Sequence, residues 1–349
     1  MNMERNTDRR MKNHRRRGSR RRRRAYQKKL LIMIITAVLL VFMGEHVWSA
    51  AGAVKQEVLP ALGAESQGAL WNAGALKNLY SPNAVLMDAE TGDILESYNA
   101  GRRIYPASLT KIMTAVLAAE HTENMEETIT LPVDFFQGLY EENASMAGFA
   151  PGEQVRLKDL LYGILLPSGA ECCIAFAERI AGSEKGFVEL MNEKARELGM
   201  EDTKFCNSTG LHEKDHYSTV EDMAVLLQYA LKNETFRAAF TSQSYSTLPS
   251  EMHPEGFAFT STMFRHLDGM EIENGEVLGG KTGYTPEAGL CLASLGEVSG
   301  REYILVTAGA DGDHDTEPYH ILDAVKVYDR IAVLFRSEND YIMRTAVSM

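Results

Sequence analysis

The stretch Ser108-Leu-Thr-Lys111 combines a hydroxyl and an amine at a spacing that suits nucleophilic catalysis. An apolar helical pattern begins at Ser108, and Lys111 lies three residues on, so both side chains project from one helical face. A lysine accepts a proton only when it is neutral, which burial or a nearby cation would favour. The helix N-terminus would also favour negative charge on the serine oxygen. Such pairs occur by chance on helix surfaces, so this one needs support from elsewhere in the chain.

A second stretch, 277–284 with the sequence VLGGKTGY, holds Lys281 and Thr282 between glycines. Glycine in a strand lets another backbone approach closely, which is typical of an edge strand that receives a substrate. A lysine and a hydroxyl together make a good receptor for a carboxylate. The alternative is a glycine-rich turn with a solvated lysine. The stretch lacks the Gly-x-x-x-x-Gly-Lys-[Ser/Thr] spacing of a phosphate-binding loop.

A third candidate, Ser168, lies in a Pro-Ser-Gly turn that interrupts an apolar run just before the adjacent Cys172 and Cys173. The chain has four cysteines, and their spacing contains no Cys-x-x-Cys pair and no zinc pattern. A disulfide from the adjacent pair to Cys206 is conceivable in an oxidising compartment. The alternative is that all four, Cys291 included, are small buried hydrophobic residues.

The stretch His212-Glu-x-x-His216 matches a zinc-peptidase pattern, in which both histidines must lie on one helical face. Gly210 precedes it, and Ser218 followed three residues later by Glu221 indicates a capping box that opens the next helix. The histidines therefore fall in the loop before a helix, where that geometry is not ensured. We predict no metal site and no cofactor.

The surrounding pattern predicts the elements that must position these side chains. Residues 84–88 and 94–98 flank a turn with glycine, which indicates a β-hairpin. Apolar residues recur at three- and four-residue steps over 108–121, which indicates a helix. Further predicted helices are 157–165, 172–180, 187–198, 220–231 and 319–335, and further predicted strands are 290–296 and 303–307. Strands at both ends with helices between them indicate an α/β fold (an α+β sandwich) in which the intervening helices form a second lobe.

Charge divides the 349-residue chain into two unlike parts. Residues 1–29 carry 14 Lys and Arg against two acidic residues, whereas the remainder carries 22 basic and 46 acidic residues. A folded part with this excess of acidic residues is not expected to bind nucleic acid. The basic arm is followed at once by 30–43, LLIMIITAVLLVFM, an uncharged apolar run typical of an export signal. An arm that binds nucleic acid or anionic lipid is the alternative.

Whether this signal is cleaved stays open. As a helix its 14 residues span roughly 21 Å, short of a hydrocarbon core of roughly 30 Å, and 51–53 offers a small-residue cleavage site. An uncleaved segment would anchor the protein in the membrane, and either outcome puts the folded part in the extracytoplasmic cell envelope. We assign 1–29 as a basic cytoplasmic arm, 30–53 as signal or membrane anchor, 54–80 as a spacer and 81–349 as the folded domain.

Three motifs occur in the order found in penicillin-recognising serine enzymes: Ser108-Leu-Thr-Lys111, Ser168-Gly-Ala170 and Lys281-Thr-Gly283. Their context resembles the low-molecular-mass D-alanyl-D-alanine carboxypeptidases, peptidase family S11. The stretches that carry this likeness are YPASLTKIMTA, GEQVRLKDLLYGILLPSGAE, FVELMNEKARELGM, TKFCNSTGL, HYSTVEDMA and GGKTGYTPEAG. The resemblance covers about residues 80–335 and so makes 81–349 a D,D-carboxypeptidase catalytic domain. It implies a penicillin-recognising transpeptidase/β-lactamase-like fold, an antiparallel sheet flanked by helices with an inserted helical lobe.

The resemblance also implies a reaction. Ser108 would attack the carbonyl between the two terminal D-alanines of a peptidoglycan stem peptide, and Lys111 would take its proton. Ser168 would relay a proton to the departing amine, and the charge on Lys281 would help to keep Lys111 neutral. D-alanine would leave when the acyl-enzyme forms. Water would then hydrolyse the acyl-enzyme and release the shortened stem. By the same resemblance, β-lactams should acylate Ser108.

The resemblance also implies that the motif Lys281-Thr282-Gly283 and the following Tyr284 bind the substrate. Lys281 and Thr282 would bind the terminal carboxylate. The backbone N–H groups of Ser108 and Tyr284 would hold the oxyanion, and one such donor is worth roughly 3–4 kcal/mol in acyl transfer.

The chain departs from the family at the middle motif, which is usually Ser-x-Asn but here ends in Ala170. The missing amide would bridge the catalytic lysine and the substrate carbonyl. Glu171 cannot substitute, because the next residue of a helix points about 100° away. We therefore expect slower acylation, or a site that is adapted to another group. The alternative function is a penicillin-recognising cell-wall binding protein with little turnover.

A second departure concerns the carboxylate. The family often has an arginine after the strand that follows its Lys-Thr-Gly motif, yet none occurs between Arg301 and Arg330. His314, His320 and Lys326 are the candidates to replace it, and the sequence does not choose among them.

Overall fold

The computed structural model describes residues 74–267, 269–272 and 275–347. The N-terminal arm and the apolar run over 30–43 lie outside the described residues. Among the residues that are described, no helix combines the length and the apolar character needed to cross a bilayer.

The described elements alternate between a sheet built from both ends of the chain and helices built from the middle. In chain order they are β1 (Asn83–Asp88), β2 (Ile94–Tyr98), a 3-10 turn (Ala107–Thr110), α1 (Lys111–Glu120), β3 (Thr128–Thr130), α2 (Phe135–Glu141), β4 (Gln154–Arg156), α3 (Leu157–Leu165), α4 (Ala170–Ala181), α5 (Glu184–Glu197), α6 (Val220–Ala230), α7 (Glu234–Phe240), β5 (Ser244–Ser246), β6 (Ala258–Thr260), α8 (Thr262–Leu267), β7 (Gly275–Thr285), β8 (Gly289–Val298), β9 (Arg301–Ala310) and α9 (Tyr319–Val347).

The main sheet has the strand order β2-β1-β9-β8-β7, and every neighbouring pair is antiparallel. The predicted hairpin is confirmed as β1 and β2, and the predicted strands near the C-terminus are the centres of β8 and β9. β1 pairs with β9 across more than 200 residues, with Val85 opposite Val306. The expected α/β fold, one sheet built from distant parts of the chain, is therefore present. The strand with the Lys-Thr-Gly motif, β7, is an edge strand of this sheet, as its glycines predicted.

Both faces of the sheet are buried, because successive side chains of a strand point to opposite sides. In β1, Val85 packs with the helical lobe, whereas Leu86 packs with α9 on the other face. On the lobe side, α1 is buried nearly all round, which is expected of a helix in the centre of a core. The 3-10 turn that contains Ser108 and the start of α1 at Lys111 are thereby fixed between the lobe and β7.

The packed domain begins earlier than the predicted boundary at residue 81. Leu76 is 5% exposed and belongs to the same apolar cluster as residues of α9. The backbone N–H groups of Tyr80 and Ser81 donate to Asp323 at 2.8 Å each, and Arg330 donates to the carbonyl of Ala75 at 2.8 Å. Residues 74–80 therefore belong to the domain and are not the end of a spacer, because α9 satisfies their backbone groups.

Candidate active site

Ser108 lies in the 3-10 turn Ala107–Thr110, and the α-helix itself begins at Lys111. The prediction of an α-helix from Ser108 was therefore early by one turn. Lys111 Nζ lies 3.1 Å from Ser108 Oγ and donates to the carbonyl of Thr209 at 2.7 Å. The predicted pair thus meets at hydrogen-bonding distance, with the amine held between the hydroxyl and a backbone oxygen.

The tight turn before Ser108 depends on a neighbouring loop. Ala107 has a φ of +46°, a left-handed conformation that costs a residue with a Cβ about 1–2 kcal/mol. Gly210 packs so closely on it that a Cβ at Gly210 would lie 1.9 Å from the Ala107 carbonyl oxygen. Only glycine fits there, so the backbone of this loop sets the position of the turn that carries Ser108.

Lys111 is only 3% exposed, although it is a lysine. Burial lowers its pKa below the ordinary value, because the charged amine loses its hydration, while Cys173 and Glu171 act in the opposite direction. Burial was one of the two predicted causes of a neutral Lys111, and it is the largest cause of the lowered pKa. A buried amine with a lowered pKa can accept a proton from the serine hydroxyl.

Ser168 lies just before α4 with a φ of +71°, again in the left-handed region that a residue with a Cβ adopts only under constraint. Its hydroxyl accepts a hydrogen bond from Lys281 Nζ at 3.0 Å. Strained residues held by their surroundings cluster at functional sites. Ser168 is therefore held in place by a contact with another predicted site residue.

Lys281 is 1% exposed in β7, and its amine also donates to the carbonyl of Thr282 at 2.8 Å. Burial, and then the positive charge on Lys111, lower the pKa of Lys281 well below its ordinary value. The Thr282 hydroxyl lies 2.7 Å from that of Thr262 at the start of α8. The two Ser–Lys pairs, which come from three distant segments of the chain, therefore interact electrostatically.

β7 approaches the nucleophile turn at Gly283. A Cβ placed there would lie 3.1 Å from the carbonyl oxygen of Pro106 and 3.1 Å from the backbone nitrogen of Ser108. The next residue, Tyr284, packs edge-on against His314, with ring centroids 4.9 Å apart. The strand end that was predicted to bind the carboxylate and oxyanion thus lies directly beside Ser108.

The three candidates to replace the arginine have different surroundings. Lys326 donates to the carbonyl of Asn78 and lies over the ring of Tyr80. Its ammonium group therefore interacts with the segment before β1. His320 is 5% exposed, and burial lowers its pKa to about 4, so it is neutral at pH 7. His314 is exposed and contacts Tyr284, and it is the candidate whose contacts join it to the site.

The middle motif has a different environment from the one an amide would need. The side chain of Ala170 is 1% exposed and clusters with Leu139 and Ile174. The adjacent Glu171 is fully buried and accepts hydrogen bonds from the backbone N–H groups of Ala147 and Gly148 at 2.7 and 2.9 Å. One oxygen of the Glu171 carboxylate is therefore bound to that loop, and that Glu171 does not replace the missing amide stays a prediction.

The zinc-peptidase pattern does not form a site. His212 and His216 lie in a loop, and α6 begins at Val220, capped by the Thr219 hydroxyl rather than by the predicted Ser218. Both ring nitrogens of His216 are within hydrogen-bonding distance of protein groups. In the described part of the chain, no three His, Cys, Asp or Glu side chains are grouped so as to hold a metal ion.

Sequence reasoning missed residues that act through the backbone or through short side chains. Thr209 binds Lys111 with its carbonyl, which no side-chain pattern reveals, and Thr262 meets Thr282 only through tertiary packing. The stretch TKFCNSTGL resembles the family, but the resemblance does not predict its contact with α1. His216 had a visible signal, since it lies in the stretch HYSTVEDMA that carries part of the family likeness.

Comparison with known proteins agrees with this geometry. Residues 72–312 match the Peptidase S11 family, described as D-alanyl-D-alanine carboxypeptidase. The D-alanyl-D-alanine carboxypeptidase DacF of Bacillus subtilis is 36% identical over 230 residues, which are 65% of this chain and 57% of that protein. DacC of Escherichia coli is 30% identical over 235 residues, which are 66% of this chain and 56% of that protein. The chain thus spans little more than half the length of these relatives.

A solved structure has the same fold. The crystal structure of the Streptomyces K15 DD-transpeptidase superposes with a TM-score of 0.66 at 26% sequence identity, covering 72% of this chain and 97% of that one. The chain therefore belongs to the D-alanyl-D-alanine carboxypeptidase family, peptidase family S11.

Proposed function

We propose that the protein is a serine carboxypeptidase that removes the terminal D-alanine from peptidoglycan stem peptides. The observation that carries the proposal is the 3.1 Å contact between Lys111 Nζ and Ser108 Oγ in a buried site. This is the arrangement of a nucleophile and its general base. The family membership and the names of the relatives support the same substrate class.

The reaction begins with the Ser108 hydroxyl. Its proton passes to Lys111 Nζ as Oγ bonds to the carbonyl carbon between the two terminal D-alanines. Negative charge then develops on the carbonyl oxygen, and the backbone N–H groups of Ser108 and Tyr284 are assigned to hold it. Collapse of this intermediate breaks the C–N bond, and the leaving amine takes a proton relayed by Ser168. The acyl group stays on Ser108 until water hydrolyses the ester and frees the shortened stem.

Lys281 and Thr282 are assigned to the terminal carboxylate of the stem peptide. A carboxylate beside Lys281 would favour the protonated amine, which opposes the effect of burial. A charged Lys281 would in turn disfavour charge on Lys111, whose base form is the reactive one. Substrate binding would thereby help to activate the nucleophile. β-Lactams would acylate the same serine.

We further propose that the folded domain acts in the extracytoplasmic cell envelope and that the segment 30–53 directs its export or tethers it to the membrane. The basic arm followed by an apolar run supports this assignment. Protease added to intact cells should digest the folded domain if it is exported. Protection of the domain until the cells are lysed would contradict the proposal.

The enzymatic proposal is tested with the full chain and a stem pentapeptide that ends in D-alanyl-D-alanine. Wild type should release D-alanine, and Ser108→Ala should abolish release. The matched control is Ser246→Ala, an exposed serine in β5, which should keep full activity. Acylation by labelled penicillin without D-alanine release would instead favour the binding protein with little turnover.

A further inference from the structure

The loop between α5 and α6 is joined to the nucleophile helix by side-chain hydrogen bonds. Thr114 Oγ1 donates to the carbonyl of Ser208 at 2.6 Å, and Lys111 Nζ donates to that of Thr209 at 2.7 Å. His216 Nε2 lies 2.8 Å from the hydroxyl of Thr110, the residue between Ser108 and Lys111 along the 3-10 turn. We infer that His216 is a positioning residue for the acyl-serine chemistry, holding Thr110 so that Ser108 and Lys111 keep their geometry.

The hydrogen bonds fix the tautomer of His216. The backbone N–H of Cys206 points to Nδ1 at 3.2 Å, so Nδ1 is the acceptor and carries no proton. In a neutral imidazole the proton is then on Nε2, and Nε2–H donates to Thr110 Oγ1. The imidazole ring therefore bridges two segments. One is the turn with Ser108, and the other is the part of the loop around Cys206 that leads to Thr209.

This bridge matters because Lys111 is bound from both segments. Its amine must lie between Ser108 Oγ, on the turn, and the Thr209 carbonyl, three residues after Cys206. A movement of the loop relative to the turn would lengthen one of these contacts. The imidazole fixes that relative position through bonds to both sides, without touching the substrate or the reacting atoms.

The surroundings of His216 keep the ring in its neutral form. It is 2% exposed, and burial, followed by the charge on His212, lowers its pKa to about 4. Its other close neighbours are uncharged: the ring of Phe205, edge-on at 5.7 Å between centroids, the Thr110 hydroxyl, and the backbone of Cys206 and Glu213. The tautomer is thus stable across neutral pH.

Three variants in the full-length protein separate positioning from simple packing. His216→Leu removes both hydrogen bonds, Thr110→Val removes the acceptor on the turn with little change of shape, and His216→Gln keeps an N–H donor near the position of Nε2. We expect the first two to lower the acylation rate by labelled penicillin and the kcat for D-alanine release about tenfold to a hundredfold, with KM nearly unchanged. His216→Gln should restore the rate to within about threefold of wild type, since it still donates to Thr110.

The control for lost stability is Tyr328→Phe, which removes a buried hydrogen bond to Ser294 on the opposite face of the sheet. It should lower the melting temperature without changing kcat. A His216→Leu variant that loses only stability, or a His216→Gln variant as slow as His216→Leu, would overturn the positioning role.

The inference rests on the proposed acyl-serine function, so a second readout separates the two. A small sulfonyl fluoride tests the nucleophilicity of Ser108 without any peptide or β-lactam. Slower sulfonylation in His216→Leu and recovery in His216→Gln support the positioning role even if wild type releases no D-alanine, in which case only the function fails. Equal sulfonylation in all variants contradicts the positioning role whatever the substrate.

Discussion

Ala170 is the residue at which this site differs most from the chemistry expected of it. Its methyl group packs with Leu139 and Ile174 rather than offering a donor or an acceptor. The nearest polar alternative, Glu171, has one oxygen bound to the loop at Ala147 and Gly148, and burial raises the pKa of its carboxyl group. Lys111 is thus held by Ser108 and Thr209, with no side-chain amide from the middle motif.

Restoring the amide should therefore speed the reaction. We predict that Ala170→Asn raises the acylation rate about tenfold, equivalent to about 1.4 kcal/mol of transition-state stabilisation. It should also lower the free energy of unfolding by about 1–3 kcal/mol, because a polar group enters an apolar cluster. Stopped-flow acylation by a fluorescent penicillin and urea unfolding measure the two effects. Ala170→Leu, similar to asparagine in its branched shape but without the amide, is the control and should not be faster. Unchanged turnover and acylation in Ala170→Asn would contradict the prediction.

The four cysteines give a second prediction at this scale. All four thiols are free, and burial raises the pKa of Cys173 and of Cys291 to about 12. Cys172 is fully buried, whereas Cys206 is partly exposed. A thiol reagent such as Ellman's should therefore react with one thiol in the native protein and with four after denaturation without reductant.

The matched variant is Cys206→Ser, which should leave no reactive thiol in the native state. Only two reactive thiols in the denatured protein would mean that a disulfide is present. The sequence left that bridge open because spacing alone cannot say whether two cysteines are close. The structure supports the alternative of small buried residues for Cys172, Cys173 and Cys291, but not for the partly exposed Cys206.

At the scale of elements, the site depends on how closely β7 approaches the 3-10 turn. Gly283→Ala would put a Cβ 3.1 Å from both the Pro106 carbonyl oxygen and the Ser108 nitrogen, so strand and turn must separate by a few tenths of an ångström. We predict a loss of about tenfold or more in kcat, because the two backbone donors proposed to hold the oxyanion belong to these two elements. Steady-state kinetics with the pentapeptide measures this effect.

A glycine without such contacts provides the control. A Cβ at Gly101 would meet no atom within 4 Å, so Gly101→Ala should keep wild-type kinetics. Full activity in Gly283→Ala would mean that the close approach of the strand is not needed for catalysis.

The elements themselves were predictable where one face or one turn determines them. The helix 157–165 follows from its apolar periodicity and matches α3 residue for residue, and the hairpin follows from its turn. The 3-10 turn at Ala107–Thr110 could not be predicted, because its left-handed start depends on the packing of Gly210, about a hundred residues away. The same is true of the left-handed Ser168. The sequence therefore predicts the residues of the candidate site, but it does not predict the strained backbone that holds them.

At the scale of the whole molecule, the two faces of the sheet each contain a histidine that is buried in the neutral form. His216 lies on the lobe side in the loop bound to α1, and His320 lies at the start of α9, on the other side. Burial lowers the pKa of each to about 4, from an ordinary value of about 6.5. The unfolded chain therefore binds protons at these positions at a pH where the folded protein does not.

This difference makes stability depend on pH. Each histidine contributes stability that is fully present above pH 6.5, and this is lost as the pH falls towards the folded pKa near 4, because protonation favours the unfolded chain. Between pH 7 and pH 4 the loss is about 3 kcal/mol for each residue. Two carboxylic acids with raised pKa, the buried Glu171 and the half-buried Asp222, act in the opposite direction over part of this range, so the effect must be isolated by substitution.

We predict that His320→Gln removes one of these contributions. The variant should be less stable than wild type at pH 7, but it should gain about 3 kcal/mol relative to wild type as the pH is lowered to 4. Urea unfolding at both pH values measures the difference, and His121→Gln, which removes an exposed imidazole, is the control that should follow wild type. If the gap between His320→Gln and wild type is the same at pH 7 and pH 4, then His320 is protonated as readily in the folded protein as in the unfolded chain, and the acid sensitivity of the fold must come from other groups.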